Sequence, residues 1–560
     1  MGKKIFIYGF LTVSLLYLIS CNDENSQNDN QNTKPDSMMT EKSDIEKKVE
    51  QYAVFPLTTD ISVLTENEKK MLPLLFEAAK IMDDIYKEEV LYNKYLDVIK
   101  DADEATKKFY DINYGPWERL NGNEPFIDGI GPKPAGSGFY PLDFTKEDFE
   151  NYDNPDKNSL YTLIVRDENG ELNTVWYHEA FKDKIEKAAN LIKQAAELSE
   201  DEGLKKYLNL RAEALLTDDY QASDIAWLEM KNNKIDFIVG PIETYEDGLN
   251  GLKASHESFI LIKDLEWSKK LEKYTALLPE LQKMLPVAEE YKAETPGTSG
   301  NQLNAYDALY YAGDCNAGSK TIAINLPNDE YVREKVGSRK LQLKNSMRAK
   351  FEKILVPIAN VVIDESQRKH ISFDAFFANT MFHEVGHGLG LSYTIKDKNI
   401  TVREALGDTY TSIEEGKADI LGLFIVDKLY EMGELGDVDL MDYYVTFFAG
   451  IFRSSRFGVA SAHGKANMMR FYYFQEAGAF EYNKEKGTYK VNFEKMREAV
   501  KSLAEKILVI QGDGDYNAAK EWIEKDGVVK EQFQKDLEKI NSANIPVDIV
   551  FEQGPDVIGL

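Results

Sequence analysis

The chain has 560 residues and a formal net charge of −29 at pH 7. Such an acidic protein is a poor partner for nucleic acid, because its surface repels the phosphate backbone. Its two cysteines, Cys21 and Cys315, exclude a disulfide framework, so a buried apolar core has to stabilise the fold. A chain of this length can bury such a core.

The first twenty residues predict a bacterial lipoprotein signal. Lys3 and Lys4 give a basic start, residues 5–19 are apolar, and Leu18-Ile19-Ser20-Cys21 resembles a lipoprotein cleavage site. We therefore expect residues 1–20 to be removed and Cys21 to carry lipid. The alternative is an ordinary signal peptide or an uncleaved anchor.

This signal predicts an exported protein, held on a bacterial membrane in the periplasm or at the cell surface by its lipid alone. Removal of the two N-terminal lysines changes the formal charge from −29 to −31. Residues 21–45 are rich in Asn, Asp, Ser and Gln, so they cannot build a core and predict a flexible tether.

Helix and strand patterns alternate in the part of the chain that follows. Apolar residues at helical spacing predict a helix over 181–196. Glu168-Asn169-Gly170 predicts the turn of a hairpin between strands at 160–165 and 172–177. Further strands are predicted at 235–239, 259–262, 321–326 and 546–551. From 341 to 539 the pattern is mainly helical.

These patterns predict an α+β fold with two lobes, one mostly helical and one mixed with a small β-sheet or barrel. The predicted segments are a mixed lobe over 46–290, crossover segments shared between the lobes over 291–350, a helical lobe over 351–540, and a strand over 541–560 that returns to the mixed lobe.

The most informative stretch is His383-Glu384-Val385-Gly386-His387. Two histidines four residues apart lie on one face of a helix, so both can reach one metal ion. The glutamate between them can reach a water on that metal, as the general base does in H-E-x-x-H zinc peptidases. The apolar run at 371–382 predicts a buried helix, which Gly388 and Gly390 would end. The alternative, a buried helix with structural histidines, leaves a buried glutamate without a partner.

A catalytic zinc needs a third protein ligand, and a second predicted helix offers one. Glu415 and Asp419 are four residues apart and share a face of this helix. Their spacing is typical of peptidases in which the glutamate binds metal and the aspartate orients a ligand histidine. Two alternatives stay open: Ser412 and Glu415 have the spacing of a capping box, and Glu414 is an adjacent rival ligand.

Four segments resemble the dipeptidyl peptidase III family of zinc exopeptidases, in the family's order and within residues 234–560. The segments are I-E-T-Y-E-D at 242–247, I-N-L-P-N at 324–328, E-E-G-K-A-D at 414–419, and A-H at 462–463 with the residues after it. The third is similar to the family's E-E-x-R-A-E motif, whose second glutamate binds zinc, which favours Glu415 over Glu414.

The resemblance implies hydrolysis that releases dipeptides from the free N-terminus of short peptides, in a cleft between the two lobes. One Zn²⁺ per chain would be bound by His383, His387 and Glu415, with support from Asp419 and Glu414. The implied catalytic residues are Glu384 as base, with Tyr245 and His463 as oxyanion donors. The implied substrate-binding residues are Glu243, Asn325 and Asn328, which would hold the α-amine and leading backbone.

The chain departs from the family at three points. The family usually has the six-residue form H-E-x-x-G-H, whereas this motif has five residues and needs no local bulge in its helix. Lys417 stands where the family has arginine, and Asp419 where it has glutamate. The alternative functions are a zinc endopeptidase, an aminopeptidase, or a surface lipoprotein that binds peptides without cleaving them.

Overall fold

The computed structural model describes residues 42–292, 301–456 and 458–560. The predicted signal, Cys21 and most of the predicted tether lie outside these residues. Within them, no helix is long and apolar enough to cross a membrane. Residues 44–560 form one packed unit, and the lobe boundaries that we predict inside it stay predictions.

The strands are, in chain order, β1 (Tyr52–Pro56), β2 (Trp117–Glu118), β3 (Glu124–Pro125), β4 (Thr162–Arg166), β5 (Leu172–Trp176), β6 (Ile235–Glu243), β7 (Ser255–Lys263), β8 (Asn301–Gly313), β9 (Ala323–Leu326), β10 (Ser338–Leu343), β11 (Phe480–Asn483), β12 (Thr488–Val491) and β13 (Asp548–Glu552).

The α-helices before β8 are α1 (Asp44–Glu50), α2 (Glu66–Val90), α3 (Asn93–Leu96), α4 (Glu104–Asn113), α5 (Lys146–Asn151), α6 (Tyr177–Ala180), α7 (Lys182–Leu198), α8 (Glu202–Thr217), α9 (Gln221–Glu229), α10 (Leu265–Ala276) and α11 (Leu278–Lys283). Those after it are α12 (Glu330–Lys335), α13 (Lys344–Lys350), α14 (Val356–Val362), α15 (Phe373–Gly386), α16 (Val402–Leu406), α17 (Tyr410–Glu431), α18 (Leu440–Ser455), α19 (Ala462–Glu476), α20 (Phe493–Asp513), α21 (Tyr516–Asp526), α22 (Glu531–Asn541) and α23 (Pro555–Ile558). A π-helical turn, Phe351–Leu355, joins α13 to α14.

A five-stranded sheet of order β6-β7-β8-β10-β9 forms the centre of the mixed part. Its neighbours are antiparallel except β8 and β10, which are parallel. Helix α2 packs against β7 and β8, so the inner strands are buried on both faces. Among the described residues, strand β9 pairs with β10 alone, and it therefore leaves one edge open to a further strand.

The predicted α+β class is confirmed, as are the predicted helix at α7 and the hairpin of β4 and β5. The structure adds two strands of the central sheet that the sequence patterns did not predict, β8 and β10. Both carry polar residues that strand propensity disfavours. Arg339 of β10, for example, is fully buried and pairs with Asp236 of β6 at 3.4 Å.

The predicted mainly helical stretch also contains a hairpin, β11 and β12, with an antiparallel register. The last strand, β13, pairs in parallel with β1 near the start of the described chain. The capping-box alternative for Ser412 and Glu415 is wrong, because Ser412 lies inside α17 and Thr409 occupies the N-cap without a side-chain bond.

Candidate active site

Two helices bring the predicted metal ligands together. On α15, the Nε2 atoms of His383 and His387 are 3.2 Å apart. On α17, Glu415 Oε2 lies 3.4 Å from His383 Nε2 and 3.8 Å from His387 Nε2. Ligand atoms about 2.0–2.1 Å from a tetrahedral zinc lie about 3.4 Å from one another, so these separations suit one ion.

Glu415 offers an independent test of whether a metal fits. Its Oε2 atom is buried and forms no well-aligned hydrogen bond in the described part of the chain, although His463 Nε2 lies 3.0 Å from it. A buried carboxylate oxygen without a well-aligned donor is unfavourable, and a cation bound between it and the histidine nitrogens would stabilise its charge. Two imidazole nitrogens with one carboxylate oxygen are also a donor set of catalytic zinc sites. The residues present therefore fit zinc.

The first ligand histidine is oriented by an acid on the neighbouring helix. His383 Nδ1 lies 2.7 Å from Asp419 Oδ1, and Arg470 donates to Asp419 Oδ2 at 2.5 Å. Burial alone would lower the pKa of His383, but Asp419 raises it to about 10. A proton on Nδ1 leaves Nε2 as the metal-facing atom, which is the arrangement of ligand histidines in zinc enzymes.

The second ligand histidine has the same kind of support. His387 Nδ1 lies 2.9 Å from Glu414 Oε1. Lys417 Nζ contacts the same oxygen at 2.8 Å, and Gln511 donates to Oε2 at 2.8 Å. Burial would raise the pKa of Glu414, but Lys417 and His387 lower it to about 2. Glu414, the rival ligand, therefore faces the back of a histidine and orients it.

A third histidine also lies at this cluster. His463 Nε2 is 3.0 Å from Glu415 Oε2, so His383, Glu415 and His463 could hold a metal as well. The side chain of His463 is 61% exposed. In the described residues, its other ring nitrogen makes no contact with a carboxylate such as Asp419 or Glu414. We favour His387 as the ligand because its Nδ1 has that support.

The predicted general base is held from the central sheet. Lys340 of β10 donates to Glu384 Oε2 at 2.8 Å and to the Glu384 backbone oxygen at 3.2 Å. Burial alone would raise the pKa of Glu384, but Lys340 and His383 lower it below its ordinary value. The carboxylate is therefore ionised at neutral pH, as a proton acceptor has to be.

The two metal-binding helices approach unusually closely, through two glycines. A Cβ added to Gly386 of α15 would lie 2.6 Å from the backbone oxygen of Ala418 on α17. A Cβ added to Gly422 of α17 would lie 3.0 Å from the backbone nitrogen of His383. Sequence reasoning missed this contact, although a glycine inside each helix signalled it by its poor helix propensity.

Gly386→Ala is expected to reduce zinc affinity about tenfold or more, since a methyl group would push α17 and its ligand Glu415 away. The matched control is Gly416→Ala on α17, whose Cβ would make ordinary contact with Ile507 at 3.7 Å. Zinc content after dialysis against a buffered chelator measures both. Equal retention by the two folded variants would contradict the packing argument.

The residues predicted to bind substrate lie at the ends of the sheet strands. Glu243 ends β6 immediately after a bulge, a feature that re-aims side chains. Asn328 donates to the Ile242 backbone oxygen at 3.1 Å, which joins the end of β9 to the end of β6. Asn325 is exposed on β9 and pairs across the strands with Lys340.

The structure does not bring Tyr245 to the metal cluster. Its side chain is 82% exposed, and in the described residues no contact joins it to His383, Glu384 or Glu415. It lies instead beside Glu243, whose charge raises the pKa of the Tyr245 hydroxyl.

Three carboxyl groups share the neighbourhood of Tyr245. Burial and the charges of Asp314 and Glu243 raise the pKa of Glu257 well above its ordinary value. Burial and the charge of Glu246 raise the pKa of Asp314 to about 7. Burial also raises the pKa of Glu243. A cation placed beside these carboxyls would stabilise their ionised forms, and sequence reasoning identified only Glu243.

The sequence of this chain is similar to those of known proteins. The sequence model of peptidase family M49 matches residues 151–400. Nudix hydrolase 3 of Arabidopsis thaliana is 34% identical over 570 residues, which cover 90% of this chain and 73% of that protein.

Two solved structures match over most of their length. The structure of DPP III from Caldithrix abyssi has a TM-score of 0.87 and 39% identity, over 91% of this chain and 99% of that one. Dipeptidyl-peptidase III from Corallococcus sp. strain EGB has a TM-score of 0.74 and 36% identity, over 91% and 96%.

Proposed function

The chain belongs to peptidase family M49, and from that premise we propose that it is a zinc-dependent dipeptidyl peptidase. In this proposal it releases dipeptides from the free N-terminus of short peptides. The observation that carries the proposal is the convergence of His383 Nε2, His387 Nε2 and Glu415 Oε2 beside an ionised Glu384.

Zinc held by these three side chains would polarise the scissile carbonyl and acidify a water molecule. Glu384 takes the proton of the attacking water and passes it to the leaving nitrogen. Asp419 and Glu414 hold the two histidine rings in the tautomer that turns Nε2 toward the site. Lys340 fixes the Glu384 carboxylate before substrate arrives.

Oxyanion stabilisation is assigned to His463 and Tyr245. His463 already lies at the cluster and can donate from its ring. Tyr245 is displaced from the cluster in this structure, so its assignment requires it to approach the site when a peptide binds.

We assign binding of the substrate's free α-amine to the carboxyl groups around Glu243. Burial raises the pKa of Glu243, and burial together with nearby charges raises the pKa values of Glu257 and Asp314, so an ammonium group beside these carboxyls would stabilise their ionised forms. The open edge of β9 next to it can pair with an extended peptide backbone, and Asn325 and Asn328 flank that edge. A fixed amine and a fixed metal together would set the cleavage register.

Glu384→Ala is expected to keep its zinc and to lose at least about a hundredfold in kcat, because the ligands survive and the base does not. Zinc analysis and hydrolysis of one defined hexapeptide measure the two properties. A folded variant with bound zinc and near-normal turnover would show that Glu384 is not the general base. If the wild-type protein does not cleave the hexapeptide, the proposed peptidase activity is wrong.

N-terminal acetylation of that hexapeptide is expected to stop release of dipeptides, because the acetylated nitrogen carries no charge for Glu243. Glu243→Gln is expected to raise KM for the free peptide. It is also expected to reduce the difference in dipeptide release between the free and the acetylated peptide. Glu330→Gln, which removes an equal charge from an exposed position two residues past Asn328, serves as the control. Products are identified by mass; efficient internal cleavage of the acetylated peptide would instead establish an endopeptidase.

We further propose that the protein is an exported lipoprotein anchored through Cys21. The support is the sequence of the first 21 residues, with the polar stretch after it as a tether. Cys21→Ser is expected to move the protein from the membrane fraction to the soluble fraction with peptidase activity unchanged. Fractionation with immunoblotting measures this, and full membrane retention of the variant would exclude the anchor.

A further inference from the structure

His463 is the side chain of the metal cluster that is most exposed to solvent. Its side chain is 61% exposed, against 25% for His387, 15% for Glu415 and 12% for His383. The four side chains therefore form a series from the surface inward. A zinc ion that enters the site from solvent would meet His463 before the other three.

Two overlapping sets of ligands share His383 and Glu415. Glu415 Oε2 lies 3.0 Å from His463 Nε2, 3.4 Å from His383 Nε2 and 3.8 Å from His387 Nε2. The ligand atoms of His383, Glu415 and His463 all lie within 4.8 Å of one another. The third ligand of an ion held by His383 and Glu415 can therefore be His463 or His387.

The two candidate third ligands differ in how firmly they are held. Glu414 lies 2.9 Å from His387 Nδ1, and Lys417 and Gln511 in turn hold the Glu414 carboxylate. In the described residues no carboxylate supports the other ring nitrogen of His463, which lies in the first turn of α19. A histidine that is oriented from behind makes a lasting ligand, whereas an exposed ring without such support exchanges readily.

Glu415 is the carboxylate that an entering cation would find without a basic partner. Two neighbouring carboxylates, Glu384 and Asp419, are each paired with a lysine or an arginine. In the described residues neither kind of side chain forms an ion pair with Glu415, whose buried Oε2 has no well-aligned donor. The oxygen that is open to zinc is therefore the one that lies against His463.

A cavity of about 230 Å³ gives a hydrated ion access to this oxygen. It lies between α15, α18 and α19, and His463, His383 and Glu384 line it. Six water molecules occupy about 180 Å³ at the volume that each takes in the liquid, so a zinc ion can enter with its hydration shell. Each protein ligand can then replace one water at a time.

We propose that His463 is the entry ligand of the zinc site: it binds the incoming ion together with His383 and Glu415 and is then replaced by His387. The same steps in reverse release the ion. Because His463 binds zinc only during the exchange, it speeds uptake and release without changing the final affinity. Once His387 has replaced it, His463 is free to act on the peptide as an oxyanion donor. The inference rests on the proposed function, because it assumes a zinc site of His383, His387 and Glu415.

The zinc kinetics of His463→Gln test this role without any peptide. Glutamine fits the exposed position but is a poor zinc ligand. Stopped flow follows uptake by the metal-free protein as zinc leaves a weak fluorescent chelator. Release from the loaded protein is followed as zinc reaches a strong chelator, with rates extrapolated to zero chelator concentration. Both rates are expected to fall about tenfold or more, with the dissociation constant within about threefold of the wild-type value.

Three further variants serve as controls. His387→Ala removes a lasting ligand, so it is expected to raise the dissociation constant about a hundredfold or more. His178→Gln removes a partly exposed histidine that pairs with Asp218 instead of the metal cluster, and it is expected to alter neither rate. His463→Glu restores a side chain that binds zinc at the entry position, so it is expected to recover at least part of the lost exchange rate.

Unchanged rates in His463→Gln would overturn the inference. So would faster release with a weaker affinity, which would make His463 a permanent fourth ligand. These outcomes are separable from the proposed function, since zinc exchange needs no turnover. Wild-type protein that cleaves no peptide but exchanges zinc through His463 refutes only the peptidase. Wild-type protein that releases dipeptides, with zinc exchange independent of His463, refutes only the entry role.

Discussion

The backbone contact between α15 and α17 is the constraint on which the metal site depends. Gly386 lets the two helices approach to a distance that a Cβ would prevent, and Gly422 forms a second close contact between them. This approach places Glu415 opposite the two histidines and Asp419 beside His383. Protein interiors are close-packed and yield little, so a small displacement of one helix would separate Glu415 from the two histidines.

Paired charges also hold the side chains of the metal site in position. Each ligand histidine is backed by an acid, and each of those acids is held by a base: Asp419 by Arg470, and Glu414 by Lys417. Buried charges are tolerated only with such partners. Glu415 Oε2 faces the two ligand histidines and has no well-aligned donor, as expected of an atom that binds metal.

Local spacing made the metal-facing residues predictable. Residues at i and i+4 share a helix face whatever the remainder of the fold does, so His383, His387, Glu415 and Asp419 could be placed from the sequence. Strands β8 and β10 could not be predicted from the sequence, because their burial depends on residues far away in the chain. Arg339 of β10, for example, is paired with Asp236. The contact of Lys340 with Glu384 depends on β10, so it could not be predicted from the sequence either.

Two departures from the family pattern, the five-residue motif and the aspartate at 419, fit together in this structure. The five-residue motif keeps His387 in helical conformation, with φ −59° and ψ −34°, so α15 continues without a bulge to its second ligand. Asp419 is one methylene shorter than the family's glutamate, yet its Oδ1 lies 2.7 Å from His383 Nδ1. The shorter acid reaches because Gly386 and Gly422 bring its helix closer. An alanine at Gly386 would therefore disturb the orientation of His383 as well as the position of Glu415.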